Sequence, residues 1–215
     1  KQTGSPSKMT PKRRNVCPPA GPETRSNEVL RYLETQSLRL RPLTSVDTRK
    51  IFEMSQEDEM RKWIPSQVYR DEIQASAALA FLISQYRTDI DPRVSPYVLG
   101  IELKSTSDLV GHVGLSPLHG DVEVGYAVEQ SQQRKGIATE AVHVMCKWAA
   151  AKFPSASILG ITVRENGPSQ RVLLRAGFKP HGERTMLFQG MEQTVLVFTH
   201  SPQSYLYGAR GNLTR

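Results

Sequence analysis

Apolar and polar positions alternate along this chain with a period that changes from one element to the next. Leu38-Arg39-Leu40-Arg41-Pro42-Leu43 has the two-residue period of a half-buried strand and ends near a proline. Thr44, followed three residues later by Asp47, reads as a capping box that opens a helix expected over about Ser45–Asp58. A second helix is expected from about Asp71 to Tyr86, with Ile73, Ala77, Ala80, Phe81 and Ser84 along one side. Three strands follow at the spacing of an antiparallel meander, Tyr97–Leu103, Leu109–Leu115 and Val122–Val128. Turn residues divide them at Ser105-Thr106-Ser107-Asp108 and at His119-Gly120-Asp121.

A polar, basic loop, Glu129–Lys135, then leads into a long helix from about Gly136 to Lys152, with Ile137, Ala141, Val144, Met145 and Trp148 at helical spacing. A short apolar strand, Ile158–Val163, precedes a short helix near Pro168–Ala176 that Gly177 stops. The last pair, about Arg184–Gln189 and Gln193–His200, reads as a hairpin turning at Gly190-Met191-Glu192. This interleaving of strands and helices predicts an α/β fold around a mixed sheet.

The chain has 215 residues, of which 38% are hydrophobic, and this suits one domain, expected over residues 31–200. Residues 1–30 hold five of the 14 prolines and few aliphatic side chains, the composition of a disordered arm; residues 201–215 read as a C-terminal tail. The formal charge of +7 invites a nucleic-acid partner, but its placement restricts that idea. Six basic residues against two acidic ones lie in 1–30, and Arg210 and Arg215 have no acidic neighbour in the tail, so the expected domain is close to neutral. Contact with nucleic acid or a ribosome is therefore an expectation for the basic arm alone. No apolar run approaches the roughly 20 residues of a membrane span. Cys17 and Cys146 supply neither a disulfide framework nor metal-ligand spacing, which points to no metal and to a reducing, cytoplasmic setting.

The segment richest in chemistry is Gln133-Arg134-Lys135-Gly136-Ile137-Ala138-Thr139, where a strand and a basic loop give way to a helix that starts with small residues. Backbone N–H groups of a helix start converge on one spot, which suits a phosphate. Gly136 permits close approach, Ala138 stays small, Thr139 offers a hydroxyl, and Arg134 and Lys135 add positive charge. Neither a Walker loop nor a dinucleotide G-x-G-x-x-G is present, since the lysine precedes the glycine here.

Gln-x-x-Gly-x-Ala over Gln133–Ala138 resembles the pyrophosphate-binding signature of the GNAT superfamily of acyl-CoA-dependent N-acyltransferases. Glu123-Val124-Gly125-Tyr126 in the preceding strand and Asn166-Gly167-Pro168-Ser169 with Arg175-Ala176-Gly177-Phe178 downstream extend the likeness. The opening Leu38–Thr44 strand is similar to that of the branch containing ribosomal-protein N-terminal alanine acetyltransferases. The resemblance implies a mixed, mostly antiparallel seven-stranded sheet with about four helices. It implies acetyl-CoA as cosubstrate, wedged between the strands Val122–Val128 and Ile158–Val163, with residues Gln133 to Thr139 around its phosphates. It further implies the Val128 N–H on the acetyl carbonyl, Asn166 near the pantetheine arm and Ser169 near the sulfur.

Glu123 is the candidate base for the amine, and Ser169 the candidate donor to the departing thiolate, because the tyrosine many relatives carry four residues after the serine is Leu173 here. Trp63 is a candidate wall of the acceptor pocket or a core aromatic, and Cys146 reads as core. His112 and His119 read as turn or edge residues rather than bases. Two readings follow: an N-acetyltransferase, monomeric or homodimeric, acting on a protein N-terminus or a small amine by direct attack, or a non-catalytic acyl-CoA-binding regulatory module.

Overall fold

The computed structural model describes residues 32–86, 91–118, 120–153 and 157–200. The proposed arm 1–30, the tail and the expectations placed on His119, Cys17 and the nucleic-acid contact lie outside the described residues. Strands β1 (Leu33–Glu34), β2 (Leu38–Pro42), β3 (Tyr97–Leu103), β4 (Leu109–Leu118), β5 (Asp121–Val128), β6 (Ile158–Thr162), β7 (Lys179–Phe188) and β8 (Met191–His200) form one sheet. Its order is β1-β2-β3-β4-β5-β6-β8-β7. Every neighbouring pair is antiparallel except β5 and β6. The count is eight because the two-residue β1 adds an edge to the seven expected strands.

Helices α1 (Thr48–Ser55), α2 (Asp58–Trp63), α3 (Glu72–Gln85), α4 (Ile137–Lys152) and α5 (Gly167–Arg175) cover the two faces. The main core joins α4 and α5 to one face through Met145, Trp148 and Leu173 against Leu40, Leu99, Val113 and Val124. On the other face Leu43, Leu79 and Leu109 pack with Ile51 of α1, Leu82 and Ile83 of α3 and Val98 of β3. Val98 turns away from its neighbours Tyr97 and Leu99, which lie in the main core, as the strand period requires. In β2 the same period buries Leu38 and Leu40, while Arg39 and Arg41 both pair with Glu102 and Arg41 also pairs with Asp47.

Several local expectations changed. The Thr44–Asp47 capping box forms, but the helix expected over Ser45–Asp58 is a 3-10 turn, then α1, then α2. The break falls at Glu57, whose backbone is extended and whose carboxylate accepts a 2.9 Å hydrogen bond from the Gln130 N–H. In α3, which the Asp71 side chain caps by accepting from the Gln74 N–H, the buried positions are Ala75 and Leu79. The expected stripe faces outward instead, with Ile73 80% and Phe81 55% exposed. β7 starts at Lys179, with a register shift after Pro180, and turns into β8 through Gln189 and Gly190 alone. Both turn residues have positive φ, 52° and 84°, the pairing that matches the strands' twist. His112 lies inside β4 between Gly100 and Ala127, not at a turn or a sheet edge. Among the described residues no helix is long and apolar enough to cross a membrane, and no group of three or more His, Cys, Asp or Glu could hold a metal ion.

Candidate active site

The parallel pair β5 and β6 is where the sheet opens. Their register holds only at Val122 with Ile158 and Glu123 with Leu159; beyond that the strands part. The ladder between β4 and β5 decides what faces the gap. The Glu129 N–H bonds to Val110 O, so Ala127 and Gly125 are in hydrogen-bonded pairs with β4, while Val124, Tyr126 and Val128 direct their main-chain groups the other way. The Val122 N–H, bonded to Ser157 O, shows the same parity at the closed end. The Val128 N–H is thereby aimed into the gap, and the Val128 carbonyl accepts from Gln133 Nε2 at 3.0 Å.

A cavity of about 590 Å³ occupies this opening. Its wall includes Glu123, Val128, Gln133, Arg134, Gly136, Ile137, Ala138, Thr139, Asn166 and Ser169, which the sequence scatters over 47 positions. Lys135 is not in the wall: it is exposed, and its Nζ donates to Gln132 Oε1 at 2.8 Å.

Gly136 starts α4 in a left-handed conformation, φ 85°, and a Cβ there would meet nothing within 4 Å, so the approach to the helix start is open. The first bond of α4 runs from the Glu140 N–H to Gly136 O, so the N–H groups of Ile137, Ala138 and Thr139 are offered outward with the positive end of the helix dipole. A pyrophosphate fits this cradle, and Arg134, Arg171 and Arg175 line the same cavity. The start of α5 is set by Asn166, whose Oδ1 accepts from the Ser169 N–H at 3.1 Å. Asn166 thus caps the helix and still lines the cavity.

At the other end, Glu123 faces Ser116 across the β4–β5 ladder, and both line the cavity. Burial alone pushes the Glu123 carboxyl up to about 7, so near neutral pH it can both accept and release a proton. His112, on the same strand face as Ser116, is held neutral because burial pushes it down to about 4, and it is absent from the cavity wall. Cys146 is buried in α4 with its thiol pushed up by desolvation, in keeping with a core role.

The sequence alone did not single out Tyr126, Glu59, Arg171, Arg175, Phe188 or Gln189 as part of the site. Trp63 does line it, with its Nε1 donating to Glu59 Oε2 at 2.5 Å and the Lys62 ammonium 4.4 Å from its ring centre. Ser66, in the turn after α2, hydrogen-bonds to Gln189 at the tip of the β7–β8 hairpin, so two distant segments meet at the cavity's rim. The spacing of Arg171 and Arg175, four apart on α5, was the readable signal for two of these residues.

Residues 37–179 match the family described as acetyltransferase (GNAT) domain. The chain belongs to that family. An N-acetyltransferase of Bacillus subtilis, YoaA, is 27% identical over 153 residues, 70% of this chain and 84% of the relative. Solved structures share the fold. A ribosomal-protein-S5-alanine acetyltransferase from Vibrio fischeri superposes with a TM-score of 0.64 at 20% identity, over 81% of this chain and 98% of that one. RimL, a ribosomal L7/L12 α-N-protein acetyltransferase solved with coenzyme A, gives 0.67 at 13% identity, over 79% of this chain and 97% of its own. The protein is thus a GNAT-family N-acetyltransferase, and its residues fit a CoA phosphate at the start of α4.

Proposed function

We propose that this enzyme transfers the acetyl group of acetyl-CoA to a slender, cationic primary amine by direct attack. The observation that carries the reading is the parting of β5 and β6 beside the glycine-started α4, which leaves a backbone donor, a carboxyl group and a hydroxyl around one cavity. Acetyl-CoA brings an activated thioester; the rest is placement by this chain. Gly136 and the first N–H groups of α4 hold the phosphates, and Asn166 borders the pantetheine arm.

Glu123 takes the proton of the incoming ammonium, leaving a neutral nitrogen to attack the thioester carbon. The Val128 N–H stabilises the charge that builds on the thioester oxygen. As the carbon–sulfur bond breaks, Ser169 donates a hydrogen bond to the sulfur; the second proton, which the nitrogen sheds as it becomes an amide, passes through solvent to the thiolate, and the first leaves Glu123 for solvent, so one proton is released per turnover. Holding both reactants in one cavity supplies much of the acceleration.

The acceptor class follows from charge. Arg134, Arg171 and Arg175 line the cavity on the α4–α5 side, whereas Glu59 and Glu123 line it from α2 and β5. A carboxylate beside the reacting amine would meet those acidic groups, and a second cation would be welcomed. The Ser66–Gln189 contact at the rim favours a narrow substrate.

Thiol release from acetyl-CoA, measured with linear diamines, peptides with free N-termini and α-amino acids, tests this. Linear diamines should give the highest kcat/KM and α-amino acids the lowest, by about tenfold or more. Equal rates would remove the charge argument. Coenzyme A binding with no turnover on any amine would instead favour a non-catalytic acyl-CoA-binding regulatory module.

A further inference from the structure

The Tyr126 side chain leaves β5 on the α4 side of the sheet, packs against the main core and reaches across the gap to the first turn of α5. There its hydroxyl lies 2.8 Å from Ser169 Oγ and donates to the Ser169 carbonyl at 3.1 Å. Both residues line the cavity, and among the described residues Tyr126 is the one phenol in its wall. Leu173, one turn further along α5, is buried with its side chain packed over Gly160, so it offers the serine nothing polar. We infer that Tyr126 is a positioning residue for the departing thiol, its hydroxyl orienting the Ser169 hydroxyl toward the sulfur.

A serine hydroxyl carries one proton and rotates freely, and a phenol carries one as well. With the phenol proton on the Ser169 carbonyl, the serine proton points back at the phenol oxygen and away from the cavity. With the phenol proton turned onto Ser169 Oγ, the serine proton is released to point at a ligand. The second arrangement forgoes only the longer of the two contacts, and a thiolate in the gap favours it. Chains of hydrogen bonds ending on an anion reinforce one another.

No proton changes owner in this step. Burial pushes the Tyr126 phenol up to about 12, well above an ordinary thiol, so it stays a neutral donor. Cys146, facing it from α4, is raised by burial too and carries no charge at neutral pH. Glu59 on α2, Glu123 on β5, Arg134 in the loop before α4, and Arg171 and Arg175 on α5 are the charged residues in the same wall.

The inference rests on the assignment of Ser169 to the sulfur, and the test separates the two. Coenzyme A alone is the probe: its thiolate absorbs in the ultraviolet, so the thiol pKa of the bound ligand can be titrated on the wild type, Ser169→Ala, Tyr126→Phe and the double variant. Ser169→Ala should raise that pKa by about one unit, the size of a hydrogen bond to an ionised group. Tyr126→Phe, nearly isosteric, should raise it by about half a unit, with affinity for the thiol form of coenzyme A changed less than about twofold. The double variant should titrate like Ser169→Ala. A shift in Ser169→Ala with none in Tyr126→Phe would overturn the inference and leave Ser169 in place. No shift in Ser169→Ala would remove Ser169 from the sulfur and the inference with it. A double variant shifted by the full sum would show Tyr126 acting independently of the serine, which also overturns the inference.

Discussion

The two ends of the cavity are built on different principles. The coenzyme A end, from phosphates to pantetheine arm, comes from short continuous stretches, Gln133–Thr139 and Asn166–Ser169, in which a loop, a cap and a helix start are encoded by neighbours in sequence. The acceptor end comes from pieces brought together by the fold: α2 and its following turn meet the β7–β8 tip through Ser66 and Gln189, 123 positions apart. Local encoding gives the first end a fixed geometry that suits an invariant ligand. Dispersed encoding leaves the second free to vary with the acceptor.

The largest test of this division lies at Glu123, the one proposed catalytic group of the acceptor end. Glu123→Gln should lower kcat by about a hundredfold or more and erase the rise in rate centred near pH 7, with coenzyme A affinity unchanged. A steady-state pH profile checks this, and a loss of coenzyme A affinity of similar size would dissolve the distinction between the two ends. Stability should move the other way. Burial raises the folded-state value to about 7 from the ordinary 4.5, so the stabilisation this carboxyl gives is full below pH 4.5 and lost as pH rises through 7. At pH 8 the glutamine variant should be more stable than the wild type by on the order of 3 kcal/mol, and at pH 4 the two should unfold alike.

At the coenzyme A end the corresponding test is Gly136→Val, expected to weaken coenzyme A by about a hundredfold in calorimetry and to cost stability as well, since a β-branched residue is strained at φ 85°. Gly136→Asn separates strain from obstruction. Asparagine tolerates the left-handed region, so this variant should fold like the wild type yet still bind coenzyme A less well, because its side chain fills the open approach. Wild-type binding by Gly136→Asn would mean that the phosphates do not lie against Gly136.

The same division explains what could be read in the sequence. The order of elements and the loop-to-helix start at Gly136 were legible because each is set by residues within a few positions of one another. The face of α3 was not: Glu72–Gln85 is apolar nearly all the way round, so several stripes satisfy helical spacing and the sheet selected Ala75 and Leu79. The break between α1 and α2 was hidden for another reason, since Glu57 takes its partner from Gln130, 73 positions later. Tyr126 stood in plain view within Glu123-Val124-Gly125-Tyr126, and strand period gave its side; nothing local could give Ser169 as its partner, 43 positions on. His112 was read as a turn or edge residue, whereas β3 and β5 pair with β4 on both sides of it.

The smallest expected effect is also the sharpest check on the coenzyme A end, because Arg134 and Lys135 are adjacent, equally basic and indistinguishable by sequence. Arg134, at φ 63°, bends the loop so that its side chain joins the cavity wall, while Lys135 is held outside by Gln132. Arg134→Gln should weaken coenzyme A by about tenfold, the worth of one charge-assisted contact to phosphate, and this loss should shrink as salt is raised. Lys135→Ala should change affinity by less than about twofold at any salt, since an exposed charge beyond the wall acts only through screened distance. Equal losses would mean that the phosphates sense the loop as diffuse positive charge. Unequal losses in this order would mean that backbone geometry chooses which of two neighbouring cations takes part.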